Sequence, residues 1–477
     1  MKQAQIVWFK RDLRILDHGP LSEAANRGSI IPLYIIEPAV IKAADYSGRH
    51  WEFTRNCLLA LRRSLANLGQ PLIVRKGTAI HAFKAICEQF EITAVYAPEE
   101  TGNEITFERD QRVRRWLKNQ GIPLIEMPNN GVVRGLKNRD DWQGIRDKRM
   151  RQPIYQPPKA LQPIKISIGE IPTCSDIGLS SDPIQQSPSE GETAARETLL
   201  SFLNSRGQNY VKGMSSPLTA FDACSRLSPY LAQGVISSRV VLRVCKRPST
   251  QLAPFTVQAF ESRLAWRDHF IQKLEMEPEI EYQSYVRAFD QMRSFDAEKF
   301  ERWATGQTGY PFVDACMRCL QATGWQNFRM RAMLISFAAH ELWLPWQKPA
   351  LHLAKLFTDY EPGIHYPQIQ MQSGTTGNKT LRIYDSVKQS ITHDPEAKFI
   401  KKWVPELRDV PAVIAHTPWK SMVPIRGYIP QIVNRKTAVS HARSEITRLR
   451  SDPLILDEIA AVHEKHGSRK PSRQKFT

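Results

Sequence analysis

Arg329 and Arg331 stand two residues apart in a largely apolar segment. Burying a lone guanidinium is costly, so arginine this close to a core face needs an anionic partner. Asp359 is one candidate, and a bound phosphate group is another. A second cluster lies in Cys224-Ser-Arg-Leu-Ser-Pro-Tyr230, where Ser228 can cap a helix and Pro229 suits its first position. Free backbone N–H groups, the hydroxyls of Ser225 and Ser228, and Arg226 around Leu227 make an anion site. Tyr210 and Lys212 upstream can add donors. A third group is Trp266 with Arg267, followed by Phe270. A tryptophan beside an arginine stacks a base or packs a core. Each feature has a plain alternative: arginines that snorkel outward, a cap that is only a cap, a ring that only packs.

The elements that must position these groups are mostly helices. Val313, Cys316, Met317 and Leu320 fall on one helical face after the turn Gly309-Tyr310-Pro311. Gly324 breaks that pattern, and a second helix carries Met333, Leu334, Phe337, Ala338 and Leu342. Trp343 and Trp346 follow. From Glu192 onward helical patterns dominate, which predicts an all-α domain over 192–460. Residues 1–130 read differently. Short apolar runs at 5–9, 29–36, 71–74, 92–96 and 123–126 alternate with helical patterns at 51–68 and 107–119. This predicts an α/β domain with a parallel sheet covered on both faces. Neither a G-x-G-x-x-G after the first strand nor a P-loop is present. Lys10-Arg11-Asp12-Leu13-Arg14 follows instead, and reads as a solvated turn with an internal salt bridge. Residues 131–191, rich in Pro and Ser from Gln152, read as an inter-domain connection over the surface. Residues 461–477 read as a basic, disordered tail.

Lys and Arg number 66 against 48 Asp and Glu, a net charge of +18. Such a surface attracts polyanions and makes nucleic acid a partner to expect. Seven cysteines without a regular framework suggest reduced thiols in the cytoplasm. Cys316-x-x-Cys319 is half of a metal pattern; with no cysteine after 319, it reads as two core thiols and no metal is expected. No leader and no membrane-length apolar run is seen, so no membrane association is expected.

Taken in order, the strand followed by KRDLR, then SRLSPYLAQG, LAWRDHF, GQTGYPFVDACMRCL, TGW with Arg-x-Arg, and FIKKWVPELRDVP resemble the photolyase/cryptochrome family of blue-light flavoproteins. The resemblance covers nearly the whole chain. It implies an N-terminal α/β antenna domain and a C-terminal all-helical domain holding bent FAD. It implies that Ser225, Arg226, Leu227 and Ser228 bind the FAD pyrophosphate, with Tyr210 a looser match. Arg331 and Asp359 would bracket the N5 edge of the flavin ring. Trp266 and Arg267 would form the wall where a flipped lesion rests against the cofactor, and Arg329 would face a substrate phosphate. The implied reaction is light-driven electron transfer from excited FADH⁻ to a pyrimidine dimer, whose joining bonds break before the electron returns. UV-damaged DNA is then the partner of a cytoplasmic monomer.

Departures from the family concentrate in the active site. Arg263, on the substrate side, stands where cyclobutane-dimer photolyases carry Glu. Phe328 and Ala332 replace an Asn and a Met, and Asn327 stands where (6-4) photolyases have His. Glu361 to Gly374 replaces the usual Asn-Asn-Gly-Gly-Trp-Gln-Trp segment, which removes the tryptophan nearest the flavin. Arg293 occupies the outermost relay position, leaving Trp346 as a match and Tyr366 with Trp343 as another electron route or as packing. His365 falls near the family's flavin-N5 Asn, to tune flavin protonation or to pack in a loop. Iron–sulfur members need cysteines beyond residue 319, so no cluster is expected. A second antenna chromophore of unknown identity has a place after a strand at Glu99 to Asn103, while Ile105-Thr106 does not match the folate-binding Asn-Glu pair. The expectation is a FAD-dependent DNA photolyase, cyclobutane type favoured. The alternatives are a cryptochrome-like photoreceptor with little or no repair activity, and a nucleic-acid binder that has lost FAD.

Overall fold

The structure is a computed structural model, described over residues 1–248, 250–377 and 381–467. Five parallel strands form one sheet in the order β3-β2-β1-β4-β5: β1 Lys2–Phe9, β2 Ile30–Ile36, β3 Ile73–Lys76, β4 Phe90–Pro98 and β5 Leu124–Met127. β1 is central, pairing Gln5 with Ile30 on one side and with Ala94 on the other. Its side chains alternate between two cores. Ile6 and Trp8 pack with Phe83, Val113 and Leu117, from the helices Ala79–Cys87 and Glu104–Asn119. Val7 and Phe9 pack with Trp51 and Leu58 of helix Gly48–Asn67, and that core continues into Phe202, Tyr210 and Phe260. Both faces are covered, so the strands read as continuous apolar runs.

The turn after β1 corrects the sequence reading. Lys10, Asp12 and Arg14 are all at most 5% exposed, so this is not a solvated turn. Asp12 accepts from the Lys10 backbone N–H and faces His18 Nε2 at 2.6 Å. Arg14 donates to the carbonyl oxygen of Gly234 at 2.8 Å. Asp17 meets Arg239 through two contacts, of 2.7 and 3.0 Å. The segment therefore clasps the helical part of the chain.

The segment 131–191 also does more than connect. Trp142–Arg151 is helical. Further on, the Ile168 carbonyl accepts from Val74 N–H at 2.8 Å and Leu161 N–H donates to Leu68 at 2.6 Å. An edge strand with unpaired backbone groups invites pairing with other chains, and this segment covers the β3 edge.

Beyond residue 191 the described residues contain helices and no strand. Their core gathers Trp303, Met317, Leu320, Met333, Leu334, Trp346 and Tyr366. Helix Pro311–Thr323 starts on its proline and ends at Gly324, whose φ of 66° suits a glycine C-cap. The following helix is not uniform: Phe328–Ser336 is α-helical and Phe337–Glu341 widens to a π-helix. A period of 3.6 does not reveal one inserted residue. The rebuilt segment is a helix too, Pro362–Ser373, with Pro367 inside it. A Cβ on Gly363 would lie 2.7 Å from the Ile271 Cα, so glycine lets this helix touch the backbone of helix Pro254–Met276. At the C-terminus, helix Pro453–His466 runs past the expected boundary at 460, and His466 is buried; residues 468–477 of the expected tail lie outside the described residues.

Candidate functional site

Asp359 sits in the turn between the Phe357 end of one helix and helix Pro362–Ser373, with its side chain 3% exposed. Arg331 Nη2 donates to its Oδ2 at 2.7 Å. Arg331 is itself held by a bond from Nε to the Gln326 carbonyl at 2.6 Å and by the Phe357 ring at 4.0 Å. Burial pushes the Asp359 carboxyl up, yet Arg331, Ser228 and Arg226 outweigh it and hold the group below its ordinary range. The arginine–aspartate partnership expected from sequence is therefore formed.

Arg226 completes the cluster. Its φ is 62°, and its guanidinium lies between Phe221 at 4.3 Å and Trp325 at 4.0 Å. Burial lowers its pKa to about 10, which leaves it charged at neutral pH. Ser225 Oγ accepts from the Leu227 N–H at 3.4 Å, and Leu227 is buried. Ser228 differs from expectation: it is the first helical residue of Ser228–Ala232, Leu227 is the cap, and no side chain caps the end. The αR backbone of Leu227 already belongs to the turn, which moves the helix start back by one residue. Tyr210 is packed edge-on against Phe202 and Phe260 at 5.5 and 6.0 Å. Its hydroxyl is turned toward Arg263, which is exposed.

Three polar atoms around this cluster are buried and unpartnered: Arg226 Nη1, Gln326 Oε1 and Asp359 Oδ1. Native interiors seldom leave such atoms unsatisfied. A donor and two acceptors of this kind, with two arginines, fit an anionic ligand with a polar heteroaromatic edge, as FAD has.

Trp266 is 42% exposed and stacks on Phe270 at 5.5 Å. Arg267 points the other way. It donates to the Leu231 carbonyl at 3.0 Å and to Glu361 Oε2 at 2.9 Å, the same oxygen that Arg11 reaches at 2.5 Å. Glu361 thus ties the first turn of the α/β part to the Trp266 helix, two residues from Asp359. This tie escaped the sequence reading, although an acid just before a helix-starting proline was visible at Glu361-Pro362. The tie borders a cavity of about 40 Å³ at the ends of β1 and β4, where strand order reverses.

His365 lies on a helix, not in a loop. Its Nε2 donates to the Ala350 carbonyl oxygen at 2.9 Å, and burial lowers its pKa to about 4. Because the unfolded chain takes up that proton first, folding stability falls as pH drops from about 6.5 toward 4. His365→Gln is expected to remove roughly 3 kcal/mol of that acid sensitivity, read from denaturant unfolding at pH 7 and pH 4.5. A parallel pH profile in the variant would rule this out.

Of the proposed relay residues, two come together. Trp346 and Tyr366 are buried with centroids 6.5 Å apart, and Trp346 Nε1 donates to Ser284 at 3.0 Å. Trp343 stands elsewhere, with φ 57°, against His441 and under the Arg293 guanidinium at 4.6 Å. Burial lowers Arg293 to about 9, still a cation at neutral pH. A second positive charge at that separation costs roughly 3–4 kcal/mol at an effective dielectric of about 20. Trp343 is therefore a poor electron hole. Arg329 is half-buried near His393, and Phe328 is 53% exposed. Among the described residues no three His, Cys, Asp or Glu side chains gather as a metal site, and no helix is long and apolar enough to cross a membrane.

Residues 260–448 match the family model "FAD binding domain of DNA photolyase", and residues 5–137 match the "DNA photolyase" model. A deoxyribodipyrimidine photo-lyase of Streptomyces griseus is 30% identical over 446 residues, covering 87% of this chain and 92% of that protein. A cryptochrome DASH of Gloeobacter violaceus is 28% identical over 447 residues, covering 87% of this chain and 88% of that one. The solved archaeal photolyase of Sulfolobus tokodaii, described with two FAD molecules, superposes with a TM-score of 0.81 at 26% identity, over 94% of this chain and 100% of its own. A parallel α/β domain clasped to a helical FAD-binding domain, with matching sequence through both, places this chain in the photolyase/cryptochrome family.

Proposed function

We propose that the protein is a light-driven, FAD-dependent DNA photolyase that repairs UV-induced pyrimidine dimers, the cyclobutane type favoured. The observation that carries this reading is the buried Arg331–Asp359 pair with unpartnered Arg226 Nη1 and Asp359 Oδ1 beside it, joined through Glu361 and Arg267 to the helix bearing exposed Trp266. FAD, when bound and reduced, supplies the excited-state electron. The chain supplies the rest. Ser225, Arg226, Leu227 and Ser228 hold the pyrophosphate, with Tyr210 packed behind them. Arg331 and Asp359 fix the polar edge of the flavin ring, and neutral His365 packs close to them. Trp266 offers an aromatic face to an unstacked base, and Arg263 and Arg329 meet DNA phosphates. The net charge of +18 favours the polyanion.

The test is repair itself. Reduced, FAD-loaded protein illuminated with a dimer-containing oligonucleotide is expected to restore the monomeric bases; intact reduced flavin without repair would sink the reading. Trp266→Ala is expected to weaken binding of dimer-containing DNA by about 1–3 kcal/mol, or roughly 5- to 150-fold, and undamaged duplex far less. Fluorescence anisotropy at fixed salt measures both, and equal losses on the two DNAs would contradict the stacking role.

A second reading, a cryptochrome-like photoreceptor, is favoured by one observation: a cation at Arg263 and the 53% exposed ring of Phe328 on the lesion side. It predicts no preference for lesion DNA over undamaged DNA. We also propose a cytoplasmic monomer with a second, light-harvesting chromophore in the α/β domain, which the two-FAD Sulfolobus tokodaii structure supports by likeness.

A further inference from the structure

A phenol meets a carboxylate where the two halves of the chain touch. Tyr360 directly follows Asp359, and its hydroxyl donates to Asp45 Oδ2 at 2.5 Å. Asp45 is 4% exposed and lies just ahead of helix Gly48–Asn67, in the α/β part. Asn103 Nδ2 donates to the same oxygen at 3.2 Å and holds the carboxylate in place. The Tyr360 ring stacks on His50 at 5.8 Å and stands edge-on to His365 at 5.3 Å and Tyr366 at 6.5 Å. Tyr366 in turn contacts Trp346. None of the roles assigned above uses Tyr360 or Asp45.

The chemistry of this arrangement is specific. A phenol that loses an electron becomes a strong acid, so a buried tyrosine is oxidised readily only when an acceptor already holds its hydrogen bond. Asp45 is such an acceptor. The outward tryptophan route is blocked by the Arg293 cation over Trp343. Tyr360 belongs to the same turn as Asp359, which puts it beside the proposed cofactor site.

We propose that Tyr360 is the electron donor that reduces photoexcited, oxidised FAD in this protein, and that Asp45 takes the phenolic proton. This rests on the FAD reading above. Tyr360 gives up one electron, which the photoexcited flavin accepts. Its O–H bond breaks, and the proton moves along the existing hydrogen bond to Asp45 Oδ2. A neutral tyrosyl radical and a protonated Asp45 remain. A soluble thiol, its S–H proton released to solvent, then gives one electron to the radical and becomes a thiyl radical that ends as disulfide, and Asp45 returns the phenolic proton.

The experiment uses the full chain loaded with oxidised FAD under blue light, with dithiothreitol as the thiol. Electron paramagnetic resonance and transient absorption read the tyrosyl radical, and steady-state absorbance reads flavin reduction. Wild type is expected to show the radical and to form it more slowly in D₂O. Tyr360→Phe, which keeps the ring, is expected to lose the radical and slow photoreduction about tenfold or more. Asp45→Asn is expected to slow radical formation to a similar degree with Tyr360 present. Trp346→Phe is expected to change the rate by less than about twofold. Wild-type radical yield and rate in Tyr360→Phe, or loss of photoreduction in Trp346→Phe alone, would overturn the proposal. Flavin content measured on the same samples separates the two ideas. Flavin-loaded variants with unchanged kinetics overturn only the tyrosine route, whereas wild type that takes up no flavin overturns the cofactor reading as well.

Discussion

Arg331→Ala is expected to lower folding stability by about 3 kcal/mol at neutral pH and to reduce FAD retention. Removing one partner of a buried ion pair leaves the other charge uncompensated, at a cost of about 3–5 kcal/mol. The low end applies here because the Arg331 side chain is 25% exposed while that of Asp359 is 3% exposed. The pH dependence is a sharper signature than the size. Asp359 is held below its ordinary carboxylate range in the folded chain. Its contribution is therefore complete above the unfolded value of about 3.9 and disappears as pH falls through the folded value. Wild type and Arg331→Ala should differ fully at pH 6 to 8, and the gap should narrow as pH falls below about 4. Denaturant unfolding across that range measures the gap, and flavin absorbance after gel filtration measures retention. Arg331→Lys should restore part of the stability, since an ammonium supplies charge without the planar fork. Equal stability of Arg331→Ala and wild type at pH 7 would remove the pair from the site's architecture.

The second large effect is at the clasp between the two halves. Gly234 has φ +60°, and a Cβ there would lie 2.1 Å from the Arg11 carbonyl oxygen and 2.6 Å from the Asp12 Cα. Backbone cannot swing aside as a flexible side chain can. Around it, Leu13 N–H donates to Gln233 at 3.2 Å and Arg14 to Gly234 itself at 2.8 Å. Gly234→Ala is expected to cost about 3 kcal/mol, from overpacking of about 1–3 kcal/mol and a left-handed backbone of roughly 1–2 kcal/mol. The loss should appear as a lower melting temperature and as faster proteolysis within 152–191. Gly144→Ala is the control: it lies in helix Trp142–Arg151 with nothing within 4 Å of a Cβ, so stability should rise by about 0.5–1 kcal/mol. If both variants behave alike, the clasp is not what Gly234 serves.

The effects at Arg331 and Gly234 differ in how readily a sequence reveals them. Arg331 is a cation in an apolar segment, and Asp359 is available to it. Solvation alone demands such a partner, so the pair is legible in the residue types and their surroundings. Gly234 closes an expected short helix, but nothing local to it says that residues 11 and 12 pass within van der Waals range.

The sequence by itself determined the parallel α/β domain, the helical domain and the anion-seeking cluster, because apolar period, helix punctuation and unpaired charge are local properties. Motifs in a fixed order added the family. Tertiary structure alone decided the rest. It turned the Lys10–Arg14 segment from a solvated turn into a buried clasp, made the rebuilt 362–373 segment a helix, moved the helix start off the Ser228 cap and separated Trp343 from Trp346. It also brought Asp45 to Tyr360 across 315 positions and Arg11 to Glu361 across 350. Contacts at such separations depend on how two domains dock, and no window of sequence carries that information.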